Sequence, residues 1–436
     1  MTTKDRLPII IVGGGLSGLS AAAILARAGH AVTLFEKASE LGGRARTKQH
    51  GEFFFNQGAH AAYVGGIGEK LLHELGVRYS GAQPVPGQFL ALDNGQLHML
   101  PADVPSVFKT TLLGLGDKVE LARTFAALKR LKLADFHRVS WQDWLEQHVS
   151  HIQVRKFLLA AARLATYSNA PDLLPVSVMP PFLDAKALYL DGGWQTLVDG
   201  LRHVAQEAGA QIVTQARVEA VEIADAGHSV RLSDGTLHPA AAVVLAVDPQ
   251  TASTLVADGR HETLSRWAAQ SIPAIVTCLD VALRRLPQPQ HKGALGIDSP
   301  LYCSLHSAWA KLAPEGGALI HTARYLKPGE SPDPETTRQE LEVLLDLLQP
   351  GWREEVVEQY FLPHMVVSNA VVQVSQGGLP GRPGPAVPDI SNLYVVGDWV
   401  GPEGLLAEAC FASTQKAAKM IMTSLAAQRN NYATVN

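Results

Sequence analysis

A short run of β-branched residues, Ile9-Ile10-Ile11-Val12, leads straight into Gly13-Gly14-Gly15-Leu16-Ser17-Gly18, and this junction constrains the chain more than any other feature. The apolar run suits a strand buried on both faces. Residues 19–28 are rich in Ala and Leu, read as a helix, and stop at Gly29. A second strand, residues 31–35, ends at Glu36-Lys37, and Glu36 stands 18 residues after Gly18. Each part has a physical task. Gly13 permits the tight turn, Gly15 lets a diphosphate approach the backbone, and Gly18 lets the helix pack closely on the strand. The positive end of the helix, opening at Leu16 and Ser17, faces the phosphates, while Glu36 can accept hydrogen bonds from a ribose. A lone GxGxxG is weak; strand, turn, helix and distal acid together predict a dinucleotide site.

The next stretch narrows the dinucleotide. Leu41-Gly42-Gly43-Arg44-Ala45-Arg46-Thr47 follows the second strand at once. It resembles the GGRxRT signature of the FAD-dependent oxidoreductases of the phytoene desaturase, protoporphyrinogen oxidase and amine oxidase superfamily. Within that group the chain is most similar to bacterial phytoene-dehydrogenase-like proteins. The glycines, Gly43 among them, open the backbone, and Arg44 and Arg46 offer cationic forks to the pyrophosphate.

The resemblance continues to the C-terminus. Residues 392–396 read as a strand, followed by Gly397-Asp398-Trp399 and a helix over about residues 405–425. In related flavoproteins the aspartate of the Gly-Asp pair contacts the FAD ribityl or pyrophosphate region. The following helix aims its first amides, here at Leu405-Leu406, at the flavin pyrimidine edge. Phe54-Phe55-Asn56-Gln57-Gly58-Ala59-His60 matches the family's stretch beside the flavin ring, with Asn56 where an aspartate is usual. The stretch 189–197 resembles the GG-aromatic-x-x-L helix start of the phytoene-desaturase-like proteins. Residues 209–212 and 216–221 fit a strand pair whose Val218 backbone meets the adenine, and residues 241–247 form the strand that returns to the cofactor sheet.

The fold class implied is α/β: a Rossmann-like FAD-binding domain of the glutathione-reductase type with an inserted α+β substrate domain. A chain of 436 residues suits two domains. The cofactor domain is expected to be discontinuous, residues 1–85, 192–260 and 386–436, with residues 86–191 and 261–385 as the substrate domain. Helical spacing marks residues 119–133, 141–148, 153–166 and 334–348, and strands are expected at 274–283 and 318–324. The Gly/Pro-rich stretch 377–388 reads as the connection back to the cofactor sheet.

Composition excludes several alternatives. A net charge of −4 with no basic arm speaks against a nucleic-acid partner. Cys278, Cys303 and Cys410 make no metal motif and no disulfide framework, so no metal site is expected, and the reading is a reducing, cytoplasmic compartment. No targeting segment precedes residue 9, and no apolar run approaches membrane-spanning length. Residues 104–133 carry Leu and Phe at helical intervals with six Lys or Arg against two acids. That pattern fits either a solvated helix or a peripheral membrane contact. Oligomeric state has no signal in the chain.

The resemblance implies removal of a hydride from a carbon of a small lipophilic substrate onto flavin N5, the cofactor performing the hard step. His60 is the candidate general base by motif position, with Tyr167, His364 and Trp399 as further residues near the ring. Flavin amine oxidases commonly carry a lysine on a strand resembling residues 271–282, and here that stretch has none. Nor does a cysteine stand a few tens of residues before Gly397, where monoamine oxidases tether their flavin, so non-covalent FAD is expected. Two alternatives remain open: an amine oxidase with unusual site residues, and a non-catalytic binding protein resembling the Rab GDP-dissociation inhibitors. The intact glycines with Glu36, Arg44 and Asp398 argue against the latter.

Overall fold

The computed structural model describes residues 7–85, 87–224 and 227–435. The segment 1–6 ahead of the first strand and the expected domain boundary at residue 86 lie outside the described residues.

The run at 9–12 forms the strand Ile9–Val12, buried along its whole length. It is the centre of a five-stranded parallel sheet ordered 211–213, 32–35, 9–12, 242–245, 393–395. Alternation divides its side chains between two cores. Ile9 and Ile11 pack against helices on one face; Ile10 and Val12 pack on the other face beneath an antiparallel sheet of strands 218–222, 228–232 and 237–240. The helix Leu16–Arg27 lies in the first of these cores against the helices Gln195–Glu207 and Leu406–Val435. Its Ala21-Ala22-Ala23 run allows that close double contact, and a Leu buried as completely as Leu19 or Leu25 is worth about 2–5 kcal/mol against Ala. Strand order reverses between 9–12 and 242–245, and such switch points open a ligand crevice outside the carboxyl ends of the strands.

A second, seven-stranded sheet is ordered 356–368, 274–283, 318–325, 301–304, 293–296, 90–93, 96–99. Its pairs are antiparallel except 293–296 with 90–93. The helix Pro334–Leu348 covers one face. The helices Trp141–His148 and Ile152–Thr166 share a core with the other face.

Three expectations need correction. Residues 119–133 are not one helix: helices run Val104–Lys109 and Leu115–Leu128, and a 3-10 turn follows at Leu133–Phe136. The supposed strand pair also separates. Gln211–Val213 extends the parallel sheet beside 32–35, whereas Val218–Glu222 belongs to the antiparallel sheet. Finally, the C-terminal helix continues to Val435, past the expected end near residue 425.

Candidate active site

At the carboxyl ends of the parallel strands lies a cleft of about 1260 Å³, bounded on its far side by residues 362–367 of the large sheet. Gly13, Gly15, Leu16, Ser17, Glu36, Lys37, Gly43 and Arg44 all line it, as do Val218, Gly397, Asp398 and Leu406. The first and last thirds of the chain thus meet at one cleft.

The glycine turn leaves room for a bulky anion. A Cβ on Gly15 would meet only the Gly42 carbonyl oxygen, at 3.8 Å, so the space beside it is open. Gly15 is the N-cap of Leu16–Arg27 without a side-chain cap, and no acid stands in that first turn, so the positive helix end faces the cleft uncompensated. Gly18 serves from behind the wall: a Cβ there would come within 1.8 Å of the Gly13 carbonyl oxygen, so no other residue fits. Glu36 accepts from the amides of Gly14 (2.6 Å) and Ala38 (2.8 Å), which fixes its carboxylate at the rim. A carboxylate has about four acceptor sites, so two bonds leave capacity for a ribose.

Arg44 and Asp398 lie 354 positions apart and form a two-pronged ion pair at 2.7 and 3.1 Å. Asp398 is 1% exposed and also accepts from the backbone and side-chain nitrogens of Asn369, both at 2.9 Å. Burial alone would raise its pKa; the Arg44 charge and these hydrogen bonds more than offset that and hold it below the usual carboxylate range. The Arg44 guanidinium is raised in turn, burial notwithstanding, and stays a cation. Arg44 also donates to the Val367 carbonyl at 2.8 Å, so one fork joins the two sheets. The second expected fork, Arg46, turns away to Glu40 at 3.0 Å.

The stretch beside the expected flavin ring is held from below. Gly58 donates its amide to Asp280 at 2.8 Å, and Asp280 bonds His321 Nδ1 at 2.8 Å through its other oxygen. Strand register places Asp280 directly opposite His321, with both side chains fully buried. Ala59 lines the cleft and accepts at its carbonyl from the Tyr167 hydroxyl at 3.1 Å. His60 lines the cleft too, but Nδ1 faces the Gly58 carbonyl at 3.1 Å and Nε2 the Arg44 carbonyl at 3.0 Å. Burial lowers its pKa against the opposing pull of the Gly58 and Arg44 carbonyls. Both nitrogens thus stand against backbone carbonyls, and a ring carrying one N–H donates to only one of them, leaving the other nitrogen an acceptor.

Other expected residues divide between the wall and its backing. Tyr167 and exposed His364 line the cleft. Trp399 does not: it is 1% exposed, donates to the Val247 carbonyl at 3.1 Å and packs edge-on against Trp267. Leu405 sits behind the wall in the apolar core, while Leu406 reaches the cleft with φ at 53°, a strained conformation of order 1–3 kcal/mol. The sequence reading missed Asp280, His321 and Asn369. Its only signal was a lone carboxylate inside an otherwise apolar strand.

A glycine turn open on one side, an uncapped helix end, a rim carboxylate and an Arg–Asp pair whose aspartate is buried and whose arginine is open to the cleft fit an extended dinucleotide carrying two phosphates. Comparison with known proteins agrees. The chain is 26% identical over 252 residues to a 4,4'-diapophytoene desaturase (4,4'-diaponeurosporene-forming) of Staphylococcus haemolyticus, half of each chain. Over 56 residues it is 50% identical to an L-amino-acid oxidase of Sistrurus catenatus edwardsii, 13% of this chain and 11% of that one. The chain therefore spans half or less of the length of these curated relatives. Among solved structures, an oxidoreductase from Methanosarcina mazei superposes with a TM-score of 0.73 at 20% identity, covering 95% of this chain and all of that one. Residues 16–422 match the family described as flavin-containing amine oxidoreductases, and the chain belongs to that family.

Proposed function

We propose that this protein binds FAD without a covalent tether in the cleft and oxidises a carbon–hydrogen bond of a lipophilic substrate. Bound FAD supplies the acceptor for the hydride; the protein's part is to bind, orient and exclude water. Gly13 to Ser17, Glu36 and Val218 would hold the nucleotide half, with Arg44 and Asp398 near the diphosphate and ribityl chain. The amides at Leu406 would face the ring. The division into a cofactor domain (1–85, 192–260, 386–436) and a substrate domain (86–191, 261–385) belongs to the same proposal.

One observation carries the choice of substrate class. The cleft wall formed by Ala61, Tyr63, Tyr167, Leu362, Met365 and Val367 contains no carboxylate to pair with a substrate ammonium. Its carboxylates, Glu36, Glu219, Asp248 and Asp398, stand on the nucleotide side with the parallel strands. An apolar wall suits an apolar carbon skeleton. The strand Ala274–Leu283 behind it carries Cys278 and Asp280 and no lysine.

The proposal extends to a contact with a lipid surface through Val104–Lys109 and Leu115–Leu128, where an apolar substrate is most concentrated. No described helix is long and apolar enough to cross a membrane.

Anaerobic mixing of the purified yellow protein with a panel of carotenoid precursors, porphyrinogens and amines tests the function. Bleaching of the oxidised flavin band by an isoprenoid and not by amines is the expected result. Bleaching by amines alone would transfer the protein to amine oxidation.

A further inference from the structure

Arg382 lies in the Gly/Pro-rich return segment and is only 8% exposed. Its Nη1 donates to the Gly404 carbonyl at 3.0 Å, while its Nε is buried without a partner. Among the described residues it forms no ion pair, and an unpaired buried cation is costly to keep. The carboxylate that acts on it most is Asp398, already committed to Arg44 and Asn369. Burial lowers its pKa to about 10 against the pull of Asp398, so it is still charged at neutral pH.

Its position suggests what the charge is for. Arg382 borders a small cavity with Ser368, Leu405 and Leu406, and Leu406 also lines the main cleft. The helix Leu406–Val435 begins there, so its positive end and the guanidinium add at one place. A purely structural site would be expected to set an acid against them. The acid in that first turn, Glu408, instead points at the amides of Ile67 (2.5 Å) and Gly68 (3.1 Å). Positive charge is thus concentrated at the Leu406 end of the cleft.

We propose that Arg382 sets the electrostatic potential at this end of the cleft and stabilises the negative charge that a bound flavin gains on reduction. Adding a hydride, two electrons and one proton, to neutral oxidised flavin leaves one net negative charge, and Arg382 acts on it from behind the Leu406 wall together with the helix end. The inference rests on the FAD reading of the cleft.

Sulfite provides a test that does not depend on substrate turnover. It adds to flavin N5 through one new N–S bond and leaves the same ring carrying negative charge. In the FAD-loaded protein, Arg382→Gln and Arg382→Met should each weaken sulfite binding about tenfold or more. The two-electron reduction equilibrium, measured against reference dyes, should shift against reduction by about tenfold, or about 30 mV. Arg382→Lys, which keeps the charge, should stay within about twofold of the unaltered protein. Arg382→Gln can still donate to Gly404, so it guards against misfolding of the Met variant. Unchanged sulfite affinity and potential in the yellow Gln variant would overturn the proposal, as would a Lys variant that behaves like Gln. A colourless unaltered protein that takes up no added FAD would instead overturn the FAD reading itself, and this inference with it.

Discussion

His306 shows how a single side chain ties stability to pH. It is 1% exposed, stacks on Tyr189 with ring centroids 3.9 Å apart, and has no partner at either nitrogen. Its ring lies 4.6 Å from that of His321, which is bonded to Asp280. Burial first, then repulsion from His321 and His60, lowers its pKa well below the ordinary imidazole value. The unfolded chain takes up a proton near pH 6.5 that the folded protein refuses until much lower pH. In that window the unfolded state binds more protons, so stability rises with pH and is lost as pH falls from about 6.5 toward the folded value. One such group changes stability by up to about 1.4 kcal/mol per pH unit. Thermal unfolding at pH 7 and pH 5 should therefore show a falling Tm, and His306→Phe, which keeps an aromatic ring against Tyr189, should flatten that fall. An unchanged slope in the variant would remove His306 as its source.

Whole helices and strands show where a sequence carries its own instructions. Trp141–His148 and Pro334–Leu348 stand where helical spacing put them, each with a local start signal: Ser140 accepts from the Asp143 amide, and Asp333 from the Thr336 amide. Ala274–Leu283 likewise follows from its apolar, β-rich run. Strand partners leave no such mark. Nothing local says that residues 211–213 pair with 32–35 while 218–222 pair with 228–232. The register that sets Asp280 opposite His321 was equally invisible, and so the support beneath Gly58 was missed. In the basic stretch 104–133 the charge pattern was legible but its break was not: Asp103 caps one short helix and Gly114 opens the next. The break leaves Val104, Phe108 and Leu115 70%, 75% and 85% exposed beside Lys109. The two acids turn inward, Asp117 to His151 and Glu120 to the amides of Ser150 and His151. Apolar side chains next to basic ones match an anionic bilayer surface. Phe108→Glu combined with Leu115→Glu should cut co-sedimentation with vesicles rich in anionic lipid severalfold without changing Tm, since neither side chain is packed. Equal binding by the double variant would leave these helices solvated.

At the scale of the whole molecule, one cleft draws on the first turn of the chain, the large sheet and the last helix, and this limits where a hydride can come from. The glycine motif was legible because strand, turn, helix and acid are contiguous; the far wall was not, because residues 362–367 reach it only through pairing of the strand Val356–Ser368. A flavin enzyme reduced by a nicotinamide dinucleotide through a second site of the same type would need a second strand–turn–helix unit. Gly65-Gly66 and Gly192-Gly193 do stand between a strand and a helix, but the strands Ala62–Tyr63 and Ala187–Leu190 pair antiparallel and lie outside the parallel sheet. Gly114 is the N-cap of Leu115–Leu128, and Gly377 and Gly378 separate two 3-10 turns. Neither position follows a parallel strand, so neither gives phosphates a helix end at a switch point. On the proposed function the hydride donor would enter against the wall of Tyr63, Tyr167 and Met365, which offers no basic cradle for phosphates. Anaerobic stopped-flow mixing with NADH or NADPH should leave the oxidised flavin band unchanged over many seconds, while an organic substrate that fits this wall bleaches it. Rapid bleaching at micromolar NADPH would mean that the nicotinamide reaches the flavin through this same opening, and the apolar wall would then be the mouth of a reductase.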